Sequence, residues 1–110
     1  MKRLDLHDEI EADLDRIWSW LAIEQKAPEA ADRVRAAIEE TFHLLCVHPG
    51  IGFIRWRNHP RLTDVRMLVV PRYRNYLVFY RETPGTVEVI AVLHGKRNLP
   101  WRLIETGRFD

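Results

Sequence analysis

The sequence predicts a single α+β domain of order β-α-α-β-β-β, in which an antiparallel sheet is packed against an N-terminal helical hairpin. Three observations predict it. Two segments of the first half carry apolar residues at helical spacing and are separated only by the residues around Pro28. Three segments of the second half are rich in β-branched and aromatic residues and are joined by turn residues. A short alternating stretch precedes the first helix. The 110 residues suit one domain, 1–110, and 46% hydrophobic with 30% charged residues is the balance of a folded rather than a disordered chain.

Residues 2–6 alternate, with Leu4 and Leu6 on one side and Arg3 and Asp5 on the other, which reads as a strand with one buried face. Asp8 sits where a helix N-cap is expected, with Glu11 at capping-box spacing. Ile10, Leu14, Ile17, Trp18 and Leu21 then mark one helical face. Glu11, Asp13, Asp15 and Arg16 fall largely elsewhere. Pro28 disfavours helix in the residue before it and suits the first turn of a second helix. That helix runs to about Val47, with Ala31, Val34, Ile38, Phe42 and Leu45 as its apolar stripe, and His48-Pro49-Gly50 ends it. So short a connection makes the two helices antiparallel.

Residues 49–63 read as a loop that mixes aromatic and basic side chains. Strands are expected at Val65–Val70, Asn75–Arg81 and Val87–His94, the last two joined through Thr83-Pro84-Gly85-Thr86, which suits a type II turn. Val87, Val89, Ala91 and Leu93 are assigned to one face of the last strand, and Glu88, Ile90, Val92 and His94 to the other. Both faces carry apolar residues, so this strand is placed centrally. Residues 98–105 are left as a short strand or helix. The helical hairpin must cover one face of the meander to bury its own stripe.

Net charge is +1, but the chain is divided. Residues 1–45 hold six Lys/Arg against eleven Asp/Glu, a net of −5, and residues 46–110 hold eleven against five, a net of +6. The basic half is almost all arginine, whose planar fork suits carboxylate or phosphate, so an acidic partner is one reading. Mutual neutralisation of the halves within the fold is the other. Arg55, Trp56 and Arg57 in the loop, and Trp101 and Arg102 near the C-terminus, are residue types enriched in binding hot spots. Trp56 could equally plug the core. Trp20 and Ile23 are spare apolar positions on the first helix, fit either for a partner or for a wider core stripe. Cys46, the one cysteine, sits among Leu44, Leu45 and Val47 and reads as a small buried hydrophobe. No metal-ligand spacing, nucleophilic triad or glycine-rich phosphate loop is present, so neither metal nor cofactor is expected. Residues 1–5 lack the apolar stretch of a secretion signal, no run reaches bilayer length, and a cytoplasmic protein without membrane partners is expected.

Three segments resemble the RelE/ParE toxin superfamily, on its ParE-like, plasmid-stabilisation side. Glu11 to Trp18 is similar to the A-x-x-D-L-x-x-I-W start of such toxins, Tyr73 to Arg81 to their R-Y-x-V-F-Y-R strand, and Val89 to Pro100 to their V-L-H-G-x-R-D-L-P ending. The similarity runs from about residue 2 to residue 104. It implies the toxin of a type II toxin–antitoxin system, held in a hetero-oligomer by a ParD-like or similar antitoxin. ParE-type members bind DNA gyrase and RelE-type members cleave mRNA on the ribosome.

Ribosome-dependent cleavage needs a base, an acid and cations around the phosphorane. Arg61, Arg66, Arg81 and Arg97 could hold phosphate, and His94 would have to carry both proton transfers, because arginine stays protonated. Trp101 stands where a tyrosine would help, and indole does not shuttle protons. The expectation is therefore a gyrase inhibitor that acts by binding and not as an enzyme. A nuclease that contacts RNA through those five residues is the alternative, and an inactive remnant that still binds antitoxin is a third reading.

Overall fold

The structure, a computed structural model, describes residues 1–96 and 100–110; Arg97, one of the candidate phosphate contacts, lies outside the described residues. The elements in chain order are β1 (Arg3–Leu6), α1 (Ile10–Ser19), α2 (Pro28–Val47), β2 (Phe53–Ile54), β3 (Val65–Val69), β4 (Tyr76–Thr83), β5 (Thr86–His94) and α3 (Trp101–Glu105). A π-helical turn, Trp20–Glu24, prolongs α1. The sheet order is β1-β5-β4-β3-β2. Strands β2 to β5 are antiparallel, as the tight turns dictate, and β1 joins the open side of β5 in parallel, which makes the sheet mixed.

The helix start departs from the sequence reading. Glu9, not Asp8, occupies the cap position, and no side chain caps the helix. His7 takes that work instead: its Nδ1 accepts from Glu9 N–H at 3.1 Å and its carbonyl from Ile10 N–H at 3.0 Å. Pro28 opens α2 as expected, and Lys26, at φ 53°, turns the chain between the helices. The hairpin is tied on its outer side by Arg35, which reaches Glu11 at 2.9 Å and Asp15 at 3.3 Å, and by Trp18, whose indole N–H donates to Asp32 at 2.8 Å.

The hairpin buries Ile10, Leu14, Ile17, Val34, Ile38, Phe42 and Leu45 against Val78, Tyr80, Val87, Val89 and Val92. A second core lies on the opposite face of the sheet, where Val65, Met67, Phe79, Ile90, Ala91 and Leu93 meet Leu62, Trp56 and the C-terminal Leu103, Ile104 and Phe109. The face assignment on β5 is therefore corrected. Phe79 pairs with Ala91 but the next residue, Tyr80, pairs with Val89, so Ile90 is an extra residue in a β-bulge. Val87, Val89 and Val92 face the helices, while Ala91 and Leu93 face the second core. Leu6, expected inside, is 39% exposed, because β1 is an edge strand that leaves the sheet at once.

The expected loop also contains β2. Gly52 brings it in: an added Cβ there would lie 2.7 Å from Tyr80 Oη and 2.9 Å from Met67 O. Only a glycine lets its amide donate to Tyr80 Oη at 2.9 Å, while that hydroxyl donates to Pro49 O at 2.7 Å.

Candidate functional site

Strand β1 covers only the first half of β5, from Thr86 to Val89. Beyond it, the outward backbone groups of β5 meet side chains. Asp13 of α1 accepts from Val92 N–H at 3.0 Å, and Arg108 donates to Ile90 O at 3.2 Å. The two side chains also hold each other, at 2.7 and 3.0 Å, and Arg108 reaches Glu9 at 2.7 Å. Asp13 hydrogen bonding holds the Arg108 guanidinium above its ordinary value, against the opposing effect of burial. Asp13, expected largely off the buried face, is 2% exposed. The signal was present: it falls three residues after Ile10 and four before Ile17, inside the apolar stripe. Arg108, close to the C-terminus, is thereby tied to α1 and β5 as part of this seal.

Beside the seal, a surface groove runs from α1 and its π-helical turn to the α3 segment, in two parts that share Arg16. One part, about 280 Å³, is lined by Arg16, Ser19, Trp20, Ile23 and Glu24. The other, about 310 Å³, has Arg16 and Arg102 on its rim with Val92, Leu93 and Leu103 beneath. Arg16 lines both, so the spare apolar positions Trp20 and Ile23 and the C-terminal Arg102, singled out separately, lie along one surface. Ile23 is 67% exposed, on the π-helical turn that swings it outward. Trp101 is 47% exposed, and the Arg102 guanidinium lies 5.8 Å from its ring centroid. Sequence reasoning missed Arg16 and Leu103 here, since the order of the C-terminal segment was not legible.

The loop candidates go elsewhere. Trp56 stacks on Phe79 at 5.5 Å and meets Phe109 edge-on at 5.3 Å, so it plugs the second core. Arg55 lies over it at 5.7 Å, and Arg57 is exposed beside it.

The residues that a nuclease would need do not converge. Arg81 is opposite Glu88 and His94 is opposite Tyr76, at the two ends of β5, roughly 20 Å apart at ~3.3 Å per residue. Arg81 is held by Asp64 at 3.1 Å and by Phe109 O at 2.8 Å, on the face of the second core. Arg66 donates to Gly52 O at 2.8 Å, and its strand neighbours on the same side belong to the helix-facing core. Arg61 pairs loosely with Asp110 at 3.7 Å. His94 is 7% exposed between Trp20, at 6.0 Å, and Tyr76, at 5.1 Å, and its Nδ1 accepts from Lys96 N–H at 3.2 Å. Among the described residues, no group of three or more His, Cys, Asp or Glu is placed to hold a metal ion, and no helix is long and apolar enough to cross a membrane.

Comparison with known proteins places this architecture. No curated protein sequence matches the chain. The solved structure of the chromosomal ParDE TA system from P. aeruginosa is similar in fold, with a TM-score of 0.66 over 86% of this chain and 96% of that chain at 22% identity. Residues 4–99 match the family model of the ParE toxin of the type II toxin–antitoxin system, parDE. On that match, which takes in all the strands and both helices of the hairpin, the chain belongs to the ParE toxin family.

Proposed function

We propose that this toxin inhibits DNA gyrase by protein–protein binding, without catalysis, and that a cognate ParD-like antitoxin neutralises it. The observation that carries the non-catalytic reading is the dispersal of His94, Arg66 and Arg81 over the ends and faces of the sheet. Phosphoryl transfer needs an acid, a base and cations within a few ångströms of one phosphate, and these side chains are separated and bonded to the protein itself.

The groove along α1 and the α3 segment is the surface for the target. Its exposed members Arg16, Ile23 and Arg102, with Trp101 beside Arg102, combine arginine and large apolar groups around an apolar floor, the composition that concentrates binding energy. Asp13 is paired with Arg108, which leaves Arg16 and Arg102 against Glu24 among the groove's lining residues, a net positive rim that suits an acidic surface on the target.

The test is a supercoiling assay with purified gyrase. The parent protein inhibits, and Arg16→Glu with Arg102→Glu weakens inhibition by about ten-fold or more while the circular dichroism spectrum stays native. Parallel pulse labelling in cells expressing the toxin alone should show DNA synthesis failing first. Early arrest of protein synthesis with cut mRNA and unaffected supercoiling would instead establish the nuclease alternative.

A further inference from the structure

A second groove, of about 640 Å³, opens on the other flank of the hairpin, between α2 and the turn that joins β3 to β4. Ala36, Ala37 and Leu44 of α2 and Tyr73 of the turn supply its apolar lining. Arg33 stands on the α2 wall and Arg72 on the turn wall, and neither pairs with a carboxylate among the described residues. Glu40 is the one acidic residue among those lining it.

Arg72 is held in an unusual way. Tyr73 N–H donates to Val70 O at 3.1 Å, which closes a four-residue turn with Pro71 and Arg72 at its centre. Arg72 has φ 73°. Proline followed by a left-handed residue is the pattern of a type II turn, whose third position favours glycine because a Cβ there crowds the backbone. The chain places its longest cation at that position. Arg72 is exposed, and among the described residues its guanidinium makes no hydrogen bond or ion pair with the rest of the chain. Local strain kept at a surface position points to a use for the side chain outside the fold.

We infer that this groove docks an acidic, amphipathic segment of the antitoxin, whose carboxylates pair with Arg33 and Arg72 and whose apolar side chains cover Ala36, Ala37, Leu44 and Tyr73. The inference rests on the reading that an antitoxin binds this chain. Arginine on two facing walls selects carboxylates spaced across the groove, and the small alanines allow a close backbone approach.

The probe is the antitoxin of the chain's own parDE pair, titrated against the full-length toxin by calorimetry from low to high salt. Arg33→Glu with Arg72→Glu lowers affinity by about ten-fold or more and flattens its salt dependence. Arg72→Gly separates binding from folding, because it removes the cation and relieves the left-handed backbone. It should bind more weakly than the parent while melting no lower. If the parent itself fails to bind the antitoxin, the toxin–antitoxin reading fails. If the parent binds and the double reversal binds equally well, the docking inference is overturned. An Arg72→Gly protein with unchanged affinity would overturn the role of that turn.

Discussion

Removing Arg108 tests how the open half of β5 is closed. In Arg108→Ala, Asp13 loses both guanidinium bonds, at 2.7 and 3.0 Å, and Ile90 O loses its donor. Asp13 is 2% exposed and keeps only Val92 N–H and Arg16, which sits at 3.2 Å and is itself largely in solvent. Breaking a buried pair leaves a charge poorly compensated, at a cost of 3–5 kcal/mol, and the residual Arg16 contact places this case at the lower end, about 3 kcal/mol. At roughly 4 °C per kcal/mol for a domain of this size, the melting temperature should fall by about 12 °C. The assay is urea denaturation, with thermal melting as a check. The double variant Asp13→Leu, Arg108→Met gives the sharper result. For a simple buried ion pair, replacing both partners with apolar groups restores most of the stability. Here it must not, because Val92 N–H and Ile90 O would still be left without partners, each costing about 1–3 kcal/mol unless water reaches them. A double variant as stable as the parent, or an Arg108→Ala protein within about 0.5 kcal/mol of it, would refute the idea that these side chains stand in for a strand.

Tyr80→Phe removes the hydroxyl that bridges Gly52 N–H and Pro49 O and should cost about 2 kcal/mol by urea denaturation. Burial, the largest influence, holds the Tyr80 phenol above its ordinary value, so the folded protein keeps a proton that the unfolded chain loses above about pH 10. Stability from this group is thus fully present below about pH 10 and lost as pH rises through the folded-state value, so the parent's lead over Tyr80→Phe should begin to narrow only above about pH 10. Ile23→Ala, at a 67% exposed position, should change stability by less than about 0.5 kcal/mol yet weaken gyrase inhibition in the supercoiling assay. Trp56→Ala should do the opposite in stability, losing about 3 kcal/mol from the second core, with a loss of near-UV circular dichroism.

Periodicity made most of the fold legible. The stripe of α2 from Ala31 to Leu45 is regular, and Pro28 and His48-Pro49-Gly50 punctuate it, so its bounds follow from local chemistry. Strands β3 to β5 are long enough to show their composition. What escaped depends on contacts far apart in sequence. β2 has two residues and exists because Tyr80, 28 positions on, takes the Gly52 amide. Around the bulge at Ile90, β5 is apolar at every position from Val89 to Leu93, so no break in pattern marks the reversal of its faces. Asp13 looked solvated because its partner Arg108 lies 95 positions away. The proposed target surface was half legible for the same reason: Trp20, Ile23 and Arg102 could be named from residue type, but only the fold puts Arg16 between them.

The division of charge along the chain posed a question that the structure answers. Had the acidic and basic halves neutralised each other, the arginines of residues 46–110 would meet the carboxylates of residues 1–45. Among the described residues Arg108 alone does so, with Asp13 and Glu9. The hairpin carboxylates Glu11, Asp15 and Glu39 are gathered by Arg35 from their own half, and Arg81 and Arg61 pair with Asp64 and Asp110 from theirs. Arg55, Arg57, Arg72, Arg74 and Arg102 are exposed and form no ion pair among the described residues. Exposed like charges repel one another in a folded monomer, whereas each adds attraction when an acidic surface arrives. Their exposure on a chain with net charge +1 therefore suits an acidic partner, and it puts the positive field on the loop, turn and C-terminal surfaces, away from the acidic outer side of the hairpin.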